Sequence, residues 1–312
     1  MIKKITLTFD KMEFGKLEHI ENVDFTLPPD HAGTIKVLGG VKANKCSVYV
    51  GCPIWSEAGF LGKIYPRKAK PKDIPKYYSQ QFNSIELNIS HYRPIDKDTI
   101  EHWVDTTASD FKFFPKVNQM VSHTPLIKQN ADYMKEWMTN NQHFKHKLGM
   151  PFLQLPPTYD STKVDDLLSF CDEIALSRCA IELRHESWFK NETVLRHLCN
   201  YFYKNNITLL MTDTAGRRDV IHQRLTTKTA FIRFVANDLH PTDYLRMDEW
   251  ITRLKHWIDN GLEEIFFFLH MPTHELMPEI IIYFANEFNK RTGLNVKVPK
   301  IISPFTEDQK LF

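Results

Sequence analysis

Two short segments carry charge where a strand normally carries none. In Ser84-Ile-Glu-Leu-Asn-Ile-Ser90, Ile85, Leu87 and Ile89 alternate with Glu86 and Asn88. In Cys179-Ala-Ile-Glu-Leu-Arg184, Ile181 and Leu183 alternate with Glu182 and Arg184. Side chains alternate across a strand, so each segment has one apolar and one polar face. Burying a carboxylate or a guanidinium is costly unless it is paired or used. Two such faces in one fold imply a polar pocket at its centre.

Such a pocket needs elements to build it. Strand-like runs lie at 47–51, 84–89, 111–116, 152–155, 179–184, 207–213, 230–235 and 264–270. Helical patterns at 73–82, 96–106, 130–146, 161–176, 191–205, 246–260 and 273–291 separate most of them. The link after the sixth strand is short and poorly periodic. Eight β-α units predict an α/β fold, a single (β/α)₈ TIM-type barrel. The competing open doubly wound sheet would carry Gly-x-Gly-x-x-Gly after its first strand, which this chain lacks. Residues 1–45, with the breakers Pro28-Pro29 and Gly39-Gly40, read as an irregular N-terminal extension. The barrel is expected over 46–295, followed by a tail at 296–312.

Active sites of such barrels sit at the C-terminal strand ends. The last inward positions read Glu86 and Asn88, Lys116, Gln154, Glu182 and Arg184, Asp213, Arg233 and His270. Earlier positions of the same phase are apolar: Phe152, Leu209, Met211, Phe231, Phe266 and Phe268. The inner face thus turns from greasy to polar toward one end. An internal ion-pair network of Glu86, Glu182 and Asp213 with Lys116, Arg184 and Arg233 is the bland alternative.

The ordered motifs Gly51-Cys-Pro-Ile-Trp55, Tyr77-Tyr-Ser-Gln-Gln-Phe-Asn-Ser-Ile-Glu86, His91-Tyr-Arg-Pro94, Gln154-Leu-Pro-Pro157, Glu182-Leu-Arg-His-Glu-Ser-Trp-Phe189 and Asp213-Thr214 carry a family pattern. With them the chain resembles the YecE-like family, also called domain of unknown function 72. The resemblance implies a TIM-type barrel and no established activity. The family's usual Gly-Thr-Ser-Gly-Trp is here Gly51-Cys-Pro-Ile-Trp55, its Arg-x-His-Gly is Arg233-Phe-Val-Ala-Asn237, and its Asn-rich end of strand eight is Leu269-His-Met-Pro272. Residues 1–45 lie outside the likeness.

Several chemistries fit these residues. Lys116, Arg184 and Arg233, with the basic segment 63–72, would draw a phosphate or carboxylate. Trp55, Tyr65 and Tyr77 could stack on a base or sugar. Tyr92, Arg93, Asn88, Gln154 and His270 complete the expected binding set. The expected enzyme is a hydrolase of phosphoesters in nucleotides or nucleic acid. Glu182 or Glu86 would be the base, His185 the proton donor and Asp213 an orienting group. A glycosidase using Glu86 and Glu182 is the alternative, and a non-catalytic ligand- or nucleic-acid-binding protein is another. A metal on Glu86, Glu182, Asp213, His185 and His270 would face nearby arginines and lacks a His-x-His or His-Glu-x-x-His motif, so none is expected. No cofactor is indicated. Cys52 reads as a small buried thiol, and Trp188 as packing of the strand-five loop.

The net charge of +2 does not describe a general nucleic-acid binder. Five cysteines without a Cys-x-x-Cys pair fit a reducing cytoplasm. No apolar run reaches the ~18 residues of a membrane span. The C-terminal Thr306-Glu-Asp-Gln-Lys-Leu-Phe312 resembles a degenerate sliding-clamp docking peptide through Gln309, Leu311 and Phe312, or is an ordinary tail.

Overall fold

The computed structural model describes residues 15, 17 and 19–302. The tail residues Gln309, Leu311 and Phe312 lie outside them. Nine strands form among the described residues: β1 (Ser47–Gly51), β2 (Ser84–Leu87), β3 (Lys112–Pro115), β4 (Phe152–Gln154), β5 (Ala180–Glu182), β6 (Thr208–Leu209), β7 (Met211–Asp213), β8 (Thr229–Val235) and β9 (Glu264–His270). Every ladder is parallel, in three sheets ordered β1-β9-β8-β7, β2-β3 and β4-β5-β6. Parallel neighbours require crossovers, and helices supply most of them. The molecule is a mixed α/β fold.

The sheets touch at identifiable seams. Glu86 N–H donates to Cys52 O at 3.2 Å, and the Asn83 amide bonds both Val50 N and Val48 O at 2.8 Å, joining β1 to β2. Lys116 bridges Phe152, and Val117 N–H donates to Phe152 O at 2.9 Å, joining β3 to β4. Phe114, Phe152, Ala180, Leu210, Phe231, Phe266 and Phe268 then meet in one inner cluster, with Tyr49 against it. Phe114 lies 4.7 Å from Phe266 and 4.9 Å from Phe268, ring centre to ring centre. Ile85, Leu87, Ile232, Phe234, Ile265, Phe267 and Leu269 face outward into the helix layer. The alternation read from sequence is therefore observed on β2, β8 and β9.

The sixth strand departs from expectation. It breaks at Leu210, so β6 pairs with β5 and β7 pairs with β8. Leu210 lies in the inner cluster, whereas Leu209 and Met211 lie in the two outer ones. The inward phase is thus Leu210 and Thr212, and Asp213 points outward. Leu-Leu-Met is apolar on both phases, so alternation had nothing to discriminate there.

The N-terminal extension also differs. Ala32–Leu38 is a helix, capped by the His31 ring accepting from Gly33 N–H and ended by Gly39 in the left-handed region at φ 84°. At seven residues it is too short to stand alone. Burial of Leu38, and the bond from Thr34 Oγ1 to Gln223 O at 2.9 Å, hold it. No helix of the described residues is long and apolar enough to cross a membrane.

Gly51 ends β1 against the β2 backbone. A Cβ there would lie 2.1 Å from Ser84 O, a backbone atom that cannot swing aside. Gly51→Ala is expected to cost about 1–3 kcal/mol through forced separation of the strands. Urea unfolding would measure it, and an unchanged midpoint would refute it.

Candidate active site

Strand ends carry the polar residues. Below them the inner phenylalanines exclude water, so charges above must be satisfied by one another. Arg233 on β8 is the hub. Its Nε and Nη2 donate to Glu86 Oε2 and Oε1, both at 3.0 Å, a bidentate pair. Its Nη1 donates to Glu182 Oε2 at 3.0 Å. Gln154 Nε2 donates to the same Glu182 oxygen at 2.7 Å. Gln154 Oε1 accepts from Lys116 Nζ at 2.8 Å and from Arg184 Nη1 at 3.1 Å. Arg184 Nε lies 3.6 Å from Glu182 Oε1. His270 Nε2 lies 3.1 Å from Glu86 Oε2. One connected network therefore joins β2, β4, β5, β8, β9 and the end of β3.

The electrostatics follow from burial against pairing. For Glu86, desolvation opposes ionisation, but Arg233 and then His270 overcome it and hold the carboxyl far below its usual range. Glu182 is likewise lowered, against desolvation, by Arg233 and Arg184. Both carboxylates are ionised at neutral pH. Retaining and inverting glycosidases each need one of the pair protonated, so this arrangement disfavours that chemistry. Lys116 loses more to desolvation, and to the nearby Arg233, than Glu182 and Glu86 return, and it is pushed down to about 7. Burial also lowers His270, with Glu86 opposing.

Seven residues named from sequence meet here: Glu86, Lys116, Gln154, Glu182, Arg184, Arg233 and His270. Asn88 stands beside them at the start of the helical turn Ile89–Tyr92. Its Oδ1, together with Glu182 Oε1 and Thr212 Oγ1, is buried and accepts no hydrogen bond among the described residues. Thr212 is level with Arg233 and went unnoticed because Asp213 beside it is charged.

Others lie elsewhere. Asp213 turns to the helix Pro241–Asp259, where Arg246 Nη2 reaches it at 2.8 Å, Trp250 Nε1 at 2.7 Å, and Arg218 also pairs with it. It cannot orient a base at the network. His185 accepts from Ser187 N–H at 3.1 Å and lies 2.8 Å from Ser187 Oγ. It is tied to the start of the turn Ser187–Lys190 and among the described residues hydrogen-bonds to no member of the network. Trp55 packs edge-on against Trp103 at 5.0 Å and Tyr78 at 6.1 Å, in the helix layer. Tyr65 is fully buried, its hydroxyl donating to Trp55 O at 3.1 Å, so it offers no stacking face. Lys63 of the basic segment is paired with Glu279 at 2.6 Å. Tyr92 and Arg93 are exposed just beyond Asn88. Trp188 donates to Tyr159 O at 2.8 Å and packs the strand-five loop, and Cys52 is fully buried.

His91 and His123 were missed. Their rings lie 5.0 Å apart on the side of Lys116. Burial first and the Lys116 charge second push His91 down to about 3 and His123 down to about 4, so both are neutral. His91 Nδ1 lies 2.8 Å from Val117 O. Its place in His91-Tyr-Arg-Pro94 was the available signal, whereas His123 had none. Among the described residues no three of His, Cys, Asp and Glu are grouped to hold a metal. Two clefts, of about 320 and 310 Å³, one lined by residues including Met134, Leu148 and Cys179 and the other by residues including Pro28, Phe189 and Arg224, include no network residue.

The model of a protein family of unknown function, DUF72, matches residues 49–302. The chain belongs to the DUF72 family. UPF0759 protein YecE of Escherichia coli strain K12 is 22% identical over 273 residues, covering 81% of this chain and 97% of that protein. A DUF72 family crystal structure from Enterococcus faecalis V583 superposes with TM-score 0.60 at 15% identity, covering 81% of this chain and 100% of that one. One from Thermotoga maritima MSB8 gives 0.59 at 21%, covering 80% and 100%. These likenesses establish a shared DUF72 fold. The DUF72 match begins at residue 49, so the capped helix Ala32–Leu38 lies before it.

Proposed function

We propose that the three sheets are arcs of one closed (β/α)₈ barrel, and that its C-terminal mouth is the site of an enzyme acting on a small anionic substrate. The barrel reading rests on the seams at Cys52–Glu86 and Lys116–Phe152 and on the shared inner cluster. Phosphoester hydrolysis on a nucleotide or nucleic acid is the narrower form of the substrate reading.

The observation that carries it is a charge imbalance. Among the described residues Arg233 and Arg184 reach Glu86 and Glu182, whereas Lys116 bonds to no carboxylate. Arg233 is spent on the two carboxylates. Arg184 pairs with Glu182 and shares with Lys116 a neutral acceptor, Gln154 Oε1, which is the one hydrogen-bond partner of Lys116 Nζ among the described residues. A pure ion-pair network would place a carboxylate beside Lys116. An anion between Lys116 and Arg184 would supply that charge and raise the affinity of Lys116 for its proton. Binding should then tighten as pH falls through about 7, where Lys116 becomes charged.

Thermal melting against phosphate, nucleotides, short DNA, simple carboxylates and sugars, at pH 6 and pH 8, tests this. A native-state ligand at ~100 times its Kd stabilises by about 2.7 kcal/mol. Anions are expected to raise the Tm more at pH 6, and Arg184→Ala to abolish the rise. Stabilisation by sugars alone, or an anion effect indifferent to Arg184, would defeat the proposal.

A further inference from the structure

Two buried lysines of this chain are bonded very differently. Lys147 is 4% exposed, and its ammonium donates to Val104 O at 2.6 Å, Thr107 O at 2.8 Å and Thr107 Oγ1 at 3.1 Å. Three donors meet three acceptors, as a structural ammonium requires. Lys116 is 7% exposed, and among the described residues its nitrogen makes one hydrogen bond, to Gln154 Oε1, and no ion pair. The nearest carboxylates are held by Arg233 and Arg184. A structural role would leave two N–H donors of a buried ammonium unused, which is costly. A neutral amine leaves one N–H unused where the ammonium leaves two, carries no charge to desolvate, and keeps its lone pair. The downward push on Lys116 by burial and Arg233 agrees with this.

We infer that Lys116 is a nucleophilic amine that forms an imine with an anionic oxo acid, an inference that rests on the anionic-substrate reading of this site. Lys116 Nζ and Arg184 Nη1 share one acceptor oxygen at 2.8 and 3.1 Å. Two donors on one oxygen stand roughly 4–5 Å apart. That spacing suits a carbonyl carbon at the amine and a neighbouring carboxylate on the guanidinium. The lone pair of Lys116 attacks the carbonyl carbon, a C–N bond forms, and the carbonyl π pair moves to oxygen, which takes a proton from nitrogen. The carbinolamine then loses its hydroxyl, with a second proton from nitrogen, as water. The sum is amine plus carbonyl giving imine plus water, with no oxidant or reductant. Gln154, held by Glu182, positions the amine without touching the carbonyl.

The experiment incubates the full chain with glyoxylate or pyruvate, adds borohydride, and maps reduced adducts by peptide mass spectrometry. At pH 7.5 Lys116 is expected to be trapped at least tenfold faster than Lys147 or any exposed lysine, with the rate falling tenfold per pH unit below about 7. Lys116→Met should lose this adduct while melting as a folded protein. Formaldehyde is the neutral control, and Arg184→Ala should keep its trapping while losing the preference for oxo acids. If oxo acids raise the Tm through Arg184 but Lys116 is trapped no faster than exposed lysines, the inference falls and the anion site stands. If Lys116 traps formaldehyde rapidly but shows no preference for the acids, the anionic-substrate reading falls and takes the oxo-acid assignment with it.

Discussion

Replacing Arg233 with methionine lowers the Tm by about 6–10 °C at pH 7, and the loss shrinks below pH 4.5. Arg233 supplies three of the bonds that hold Glu86 and Glu182 ionised away from water. Removing one partner of a buried ion pair costs about 3–5 kcal/mol, because the other charge is stranded. For a chain of this size each kcal/mol moves the Tm by about 2 °C. The pH dependence has a definite sign. In the native chain both carboxyls are held below their ordinary value, so their contribution is present above about pH 4.5 and lost as pH falls through the lowered values. In Arg233→Met, desolvation acts with less opposition and raises them. That contribution is then present at low pH and lost as pH rises. The deficit is therefore fullest at neutral pH. Melting both proteins at pH 4 and pH 7 checks this, and an equal deficit at both would sink it.

Lys116→Met acts in the opposite direction and stabilises the protein below pH 7, by on the order of 3 kcal/mol. Methionine fills a similar volume and carries no charge to desolvate. The folded-state value of Lys116, about 7, lies well below its ordinary 10.5. Between those values the unfolded chain holds the proton that the native chain has released, so native stability climbs with pH. The variant lacks that slope, and its advantage fades as pH rises from 7 toward 10.5. Chemical unfolding at pH 6, 7.5 and 9 would show it. A difference constant across that range would mean that Lys116 is not desolvated as described.

Much of the site was legible because strands have a period of two. Glu86 and Glu182 could be placed inward from the apolar residues flanking them, Arg233 from Phe231 two positions before, and His270 from Phe268 and Phe266, two and four positions before. Asp213 was misplaced where the flanking Leu209-Leu210-Met211 is apolar on both phases, and where the strand breaks at Leu210. His185 follows Arg184 directly and so looked like a site residue. The backbone N–H of Ser187, 3.1 Å from its ring, claims it instead. Trp55 carries the right chemistry for stacking, but the helix layer took the ring.

By itself, then, the sequence determined the strand–helix order, the family, which end of the strands is polar, and seven of the residues that meet there. Periodicity and motif order are local properties, and the chain displays them without folding. Only the tertiary structure decided who pairs with whom. Arg233 and Glu86 stand 147 residues apart, and nothing local says that this guanidinium neutralises that carboxylate and not an incoming anion. The same packing leaves Lys116 on a neutral amide. Its ionisation depends on desolvation and on charges from several strands at once, which no single segment carries.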